Sequence, residues 1–452
     1  MTRRATRRRA LAAAGAVALG SLAGCYGRGS EPRFWDDPPS FDVERVPREF
    51  DDLVPSPPRL VPVDVEPAVE DAFADRVDRL LSPIPEPLTG DRLPNGEIRE
   101  QIATERAAAR DALPSPDESR APLQIAERYA TARGHAAAAV GTWAAVTVEG
   151  DPEAVAAEIG TVRSRAAETL EELPGPATDP SSGAAVYGPI ERWYDESRRR
   201  TLVGGRAGPA SRANPLRTGE SIGDVERVQS YVEAGRYLRD RYRSSLADPV
   251  PVAESLRREA ERLGAEVGDR LRALHGGETD RLRSSPGTEA FLDDRPVARD
   301  APSVSLLSTA TYRTFEDLRF DPVPVDDYVP DHPATAFTRA LLARVRFRGL
   351  DALASRIEDG EAMFPADAAA VGGARSAAID SATRLARSES PLDRWLATQF
   401  IPLFAEPEGA LAAGDRNTRS TVEAYTAYRW IETVTGEAPT VTESVRDSFE
   451  TN

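Results

Sequence analysis

The sequence predicts an all-α protein, an irregular bundle or solenoid of about 12 to 14 helices divisible into two lobes and reached through a proline-rich tether. Three observations predict it. Apolar residues recur at helical spacing through long stretches of the chain. Residues that start helices stand just ahead of those stretches. Alternation with a period of two is nearly absent.

The chain opens on a basic head, Arg3, Arg4, Arg7, Arg8 and Arg9, with no acid to offset it. Ala10 to Ala23 follow as 14 uncharged, mostly small and apolar residues. A helix needs roughly 20 such residues to cross a bilayer core, so this stretch is too short to span one. A basic head, a short apolar run and small residues before a cut site are the parts of a secretory signal.

Thr6-Arg7-Arg8-Arg9-Ala10-Leu11 resembles the twin-arginine export motif, and Leu22-Ala23-Gly24-Cys25 resembles a lipobox. Together with an acidic, lysine-free composition, these stretches resemble haloarchaeal twin-arginine-exported lipoproteins; the resemblance covers about 25 residues and implies a location, not an activity. It implies a signal over residues 1–24, a diacylglyceryl thioether on the Cys25 thiol, and cleavage that leaves Cys25 as the first residue. Two acyl chains fit a stable anchor, since one alone holds only marginally. An uncleaved anchor, or a signal cut elsewhere with Cys25 left as a plain thiol, is the alternative.

Loss of residues 1–24 removes five arginines and no acids, taking the formal charge from −17 to −22. All 57 basic residues are arginine. Such a surface repels itself in dilute buffer. In molar salt the Debye length falls to roughly 3 Å and most of the repulsion is screened. No basic stripe survives signal removal, so nucleic acid is not an expected partner. The single cysteine leaves no internal disulfide, and an exported body of about 390 residues buries enough core without one.

Residues 25–62 carry eight prolines, from Pro32 to Pro62, and read as a semi-rigid tether. Phe34, Trp35, Phe41 and Phe50 predict that part of it docks on the body or touches lipid. Leu60-Val61-Pro62-Val63-Asp64-Val65 is the best strand candidate, with Pro62 confining it to an edge. His135 to Val148 reads as a central helix buried on all sides. Val225, Val228, Val232, Leu238, Tyr242 and Leu246 mark one amphipathic helix, and Leu256, Ala260, Leu263, Val267, Leu271 and Leu274 another. Asp151-Pro152, His332-Pro333 and Ser390-Pro391-Leu392-Asp393 read as helix starts, Gly360 and Gly436 as stops. The stretches 203–220 and 321–332 read as long loops. The second divides a lobe over 63–320 from one over 321–452. No fixed repeat is visible.

Exclusions carry most of the chemistry. Without lysine there is no Schiff base, no Ser-Lys pair and no GxxxxGK loop. A cysteine spent on lipid leaves no thiol nucleophile, iron–sulfur cluster or thiolate zinc site. There is no GxSxG and no HExxH. No cofactor or metal is expected. The three histidines read as a boundary residue (His135), a helix C-terminal residue (His275) and either a helix-start residue or a base oriented by Asp331 (His332). Glu191-Arg192-Trp193-Tyr194-Asp195-Glu196 offers rings beside carboxylates, but Asp195 and Glu196 point some 100° apart on a helix and cannot work as a pair. Trp193 as a core anchor is the plainer reading. Arg236 to Arg243 is either an anion grip or the charged face of an amphipathic helix. Gly372-Gly373 reads as a point of close helix packing.

These readings favour a membrane-tethered extracytoplasmic lipoprotein with a binding or scaffolding role, held by Cys25 and meeting a protein partner at the cell surface. A carboxylate-dependent glycan hydrolase on a helical toroid is the alternative. Five tryptophans in 452 residues are few for a sugar-stacking cleft. A solute-binding lipoprotein of an importer is the second alternative, against which stands the lack of alternating strands and helices.

Overall fold

The computed structural model describes residues 42–47, 50, 53–114, 121–147, 161, 164, 168, 171–204, 214–274, 307, 310, 314, 332–359, 364–413 and 417–451, without the side chains of 195–204 and 271–274. The chain is all-α. Helices α1 (Pro67–Leu81), α2 (Gly96–Asp111), α3 (Pro122–Val146), α4 (Pro180–Gly204) and α5 (Pro215–Ser245) come first. Then follow α6 (Ala253–Leu274), α7 (Pro333–Glu358), α8 (Ala368–Ala386), α9 (Pro391–Phe400), α10 (Ala405–Ala412) and α11 (Thr418–Thr451). Among the described residues the one β feature is an isolated bridge between Ala177 and Val250. No described helix is long and apolar enough to cross a membrane. The predicted boundary at 321–331 lies outside the described residues.

Helix starts follow short polar side chains and prolines. Asn95 accepts from the amides of Glu97 and Ile98 to open α2, Asn214 from Leu216 to open α5 and Ser390 from Asp393 to open α9. Each satisfies an amide that the first turn leaves without an intrahelical partner. Pro391 and Pro333 occupy first-turn positions as expected.

The predicted apolar faces are buried. Leu256, Ala260, Leu263 and Val267 of α6 enter the main core, as do Val232, Leu238 and Tyr242 of α5. Val225 and Val228 are buried too. The main core runs through α4, α6, α7, α8, α9 and α11. A smaller core joins α1, α2 and one face of α3 through Val77, Ile102, Ala132, Ala136 and Ala139. Of the expected all-round burial of 135–148, Ala136 to Ala139, Gly141 and Thr142 are buried, and the end from Trp143 is half-exposed.

α3 lies along α5 on small residues. A Cβ added to Gly223 would sit 2.7 Å from the Gly134 carbonyl and 2.9 Å from Ala138 Cβ. One added to Gly219 would sit 2.6 Å from the Ala138 carbonyl and on top of Thr142 Oγ1. The two glycines, four apart, let the backbones meet.

Four expectations are corrected. Leu60–Val65 forms no strand. Its alternation is real, since Val61 and Val63 are buried, but they pack on helices rather than pairing with a sheet edge. Gly436 does not stop a helix: α11 runs on through Gly436 and Pro439. Val434, Ala438, Val441 and Val445 are buried along that stretch, and their burial outweighs the weak local propensity. The loop expected over 203–220 is shorter, because α4 reaches Gly204 and α5 begins at Pro215. Gly372 and Gly373 do not serve close packing, for a Cβ at either would meet nothing within 4 Å. Lying on the open side of α8, they only cost helix stability. Gly372→Ala and Gly373→Ala are each expected to stabilise the protein by about 0.5 to 1 kcal/mol, read as a higher urea midpoint with unchanged slope.

Candidate functional site

Cys25, Arg7 and Arg8 lie outside the described residues, as do His275 and the side chains of Asp195 and Glu196. Of the residues singled out from the sequence that are described, Glu191 belongs to a buried polar cluster.

That cluster is built on Glu191 of α4. α7 opens with Pro333, and His332 before it provides no side-chain cap. The first-turn amides therefore need an acceptor from elsewhere. Glu191 Oε2 accepts from the Thr335 amide at 2.7 Å, and the Thr335 hydroxyl donates to the Gly188 carbonyl at 3.1 Å. The fold thus joins the Glu191–Glu196 cluster to the His332-Pro333 start. Glu191 has 0% exposure. Burial pushes its carboxyl up to about 8, against the pull of the Thr335 and Ala334 amides and the Arg339 guanidinium. Its other oxygen, Oε1, has no hydrogen-bond partner among the described residues.

A carboxyl raised in the folded state holds a proton that the unfolded chain releases. Stability is then greatest at low pH and falls as pH rises from the ordinary carboxylate range to about 8. Glu191→Gln keeps the acceptor for Thr335 and removes the titration. The variant is expected to gain on the wild type across that window, on the order of 4 kcal/mol by pH 8, in urea unfolding at stepped pH. An unchanged pH slope would contradict the raised carboxyl.

Trp193, 4% exposed, is a core anchor whose indole N–H donates to Glu127. It stacks on Tyr231 with centroids 5.3 Å apart. Glu191, Trp193 and Tyr194 are therefore interior, with Arg192 between them exposed, and these three present no ring or acid to a glycan. His135 is the expected satisfied boundary histidine, its Nδ1 2.6 Å from Glu105 Oε2. In the 236–243 run, Arg239 pairs with Glu172 and Asp240, and Arg241 pairs with Glu66 at 3.1 Å. Tyr242 and Leu238 are buried, which fits the amphipathic-helix reading. Among the described residues no group of three His, Cys, Asp or Glu side chains is placed to hold a metal.

Two further clusters were not legible in advance. Arg133 of α3, 2% exposed, donates through Nε to Glu226 of α5 at 2.8 Å and through Nη1 to Glu233 at 2.6 Å. Arg76 of α1 grips the same Glu226 with two bonds of 3.0 and 2.7 Å. The Arg133 guanidinium lies over Phe73, which stacks on Tyr129. Burial raises the Glu226 carboxyl, but Arg76 and Arg133 outweigh it and hold it below the usual range. The signal was an arginine and a glutamate each set among Ala, Gly and Val at core spacing. The second cluster is Arg375 of α8, held by Glu408 of α10 at 2.7 Å, with Tyr428 of α11 donating to Glu408 at 3.0 Å.

These clusters cap, brace and fasten helices. They tie α4 to α7, α1 and α3 to α5, and α8 to α10 and α11.

Two family models match the chain, Domain of unknown function (DUF8262) over residues 68–248 and Domain of unknown function (DUF8264) over residues 253–447. The first stretch spans nearly all of α1 to α5 and the second α6 to most of α11, in keeping with a two-lobed all-α arrangement. No curated protein and no solved structure matches the chain.

Proposed function

We propose that this chain is an exported, membrane-tethered helical lipoprotein with a binding or scaffolding role at the outer face of the cytoplasmic membrane. The observation that carries the proposal is the order of residues 7 to 25: an arginine pair, a short apolar stretch, then Leu22-Ala23-Gly24-Cys25. A diacylglyceryl group on Cys25 supplies two chains, enough for a stable anchor. The arginine-only, acidic composition suits a body that works in molar salt, where its charge is screened. A binding or scaffolding role is favoured over glycan hydrolysis because the polar groups that stand out in the sequence serve structural ends. Glu191 caps a helix from a fully buried position, His135 meets Glu105 and Trp193 fills the core.

Cys25→Ser is expected to move the protein from the membrane fraction into the medium. The native N-terminal peptide should carry the mass of a diacylglyceryl-modified Cys25. A Cys25→Ser protein that stays wholly in the membrane fraction, or a native protein with a free Cys25 thiol or an attached leader, would overturn the proposal.

A further inference from the structure

The second half of the proline-rich stretch is part of the folded body. Val46, Val61 and Val63 are buried in the main core, and Phe50, Val54, Leu60 and Val65 pack against it. The Arg375 guanidinium of α8 sits over the Phe50 ring, 4.3 Å from its centroid. Arg375 is itself held by Glu408 of α10. At the other end, the Glu66 amide donates to Tyr237 Oη at 2.9 Å, and the Glu66 carboxylate meets Arg241 at 3.1 Å. Both partners are on α5. This stretch precedes both family matches and is fastened to each: to the second at Phe50, to the first at Glu66.

We infer that the described residues 42–47, 50 and 53–66 are a clasp that fixes where the tether joins the body, with Phe50 seated beside α8 and α10, and so sets how far the body stands from the lipid surface. The inference rests on the proposed attachment at Cys25. With the clasp closed, the run between Cys25 and Asp42 is 16 residues, a reach of at most about 55 Å. With the clasp open, the run between Cys25 and Glu66 is 40 residues, and the limit rises to about 140 Å. A body of about 390 residues is on the order of 55 Å across. An exit point turned away from the membrane would need the tether to run around the body, farther than it reaches. The α8–α10 face is therefore the near side while the clasp is closed.

The sole native cysteine is taken by lipid, so an introduced one labels uniquely. Gly409 on α10 is exposed and a Cβ there meets nothing within 4 Å, which makes Gly409→Cys a benign dye site. The lipidated protein is placed on phosphatidylglycerol vesicles carrying an acceptor dye on the headgroups, in molar salt. Energy transfer is expected to be strong and to fall at least twofold when Phe50→Ser, Val61→Ser and Val63→Ser open the clasp. In case that triple variant unfolds, a second protein keeps the clasp and body intact and carries 25 extra Gly-Ser residues between Phe41 and Asp42; its transfer should fall by a similar factor. Flotation with the vesicles is read first. Protein that does not float removes the Cys25 reading and this inference with it. Protein that floats, but whose transfer is weak from the start or unmoved by the insertion, overturns the clasp alone.

Discussion

Gly219→Ala is expected to destabilise the protein by about 3 kcal/mol and Gly223→Ala by about 2 kcal/mol, where the same change in an open helix would stabilise it. The added methyl at Gly219 has nowhere to go. It would lie 2.6 Å from the Ala138 carbonyl, which is backbone and cannot swing aside. It would also overlap the hydroxyl of Thr142, which is itself buried. At Gly223 the obstacles are the Gly134 carbonyl and the Ala138 methyl. The helices must part by a few tenths of an ångström along a contact that runs most of the length of α3. Every buried neighbour along it then loses dispersion contact. Urea unfolding in molar salt gives the comparison directly. The midpoint should drop for Gly219→Ala and rise for Gly372→Ala. Equal shifts of one sign would mean that α3 and α5 do not meet at this distance.

Glu226→Leu is expected to cost about 3 to 5 kcal/mol, because it strands Arg133 in the interior. Arg133 is 2% exposed and keeps Phe73 under its guanidinium and, as its one carboxylate among the described residues, Glu233, whose side chain is 45% exposed. Arg76 loses both of its bonds to the same carboxylate. Removing the charges together should be far milder. The double variant Glu226→Leu with Arg133→Met is expected to recover at least half of the loss, since two desolvation penalties vanish with the attraction. A double variant no better than Glu226→Leu alone would show that the pair contributes packing rather than charge balance. The pH sign follows from the lowered carboxyl. Its stabilisation is complete above the ordinary carboxylate range and is lost as pH falls through the depressed folded value. Glu226 thus loosens the protein in acid, whereas Glu191 loosens it as pH rises toward about 8.

The fold class was legible because helical period is a local property. The spacing of Leu256, Ala260, Leu263 and Val267 announces a buried face without knowledge of its partner. Ser390-Pro391 announced a helix start for the same reason. What stayed hidden depends on the partner. Gly219 and Gly372 are both glycines in helical patterns, and only the neighbour, a carbonyl or open space, tells them apart. Gly436 and Pro439 read as breakers until the burial around them is known. Arg133 and Glu226 stand 93 residues apart, and nothing local to either says that they meet. Glu191 is visible as part of a cluster, but nothing local sets it apart from Asp195 and Glu196. Its role as the acceptor for α7 needed the 144-residue return of the chain to Thr335.

That return bears on how the chain reaches its native state. Helical proteins ordinarily fold fast because their contacts are near in sequence. Here the amino end of α7 finds its acceptor only after a loop of more than a hundred residues has closed, at an entropic cost that local winding does not repay. During synthesis α4 must therefore wait for α7, and a gene split between the two matched stretches would yield a carboxy-terminal piece whose central helix begins with its amides unanswered.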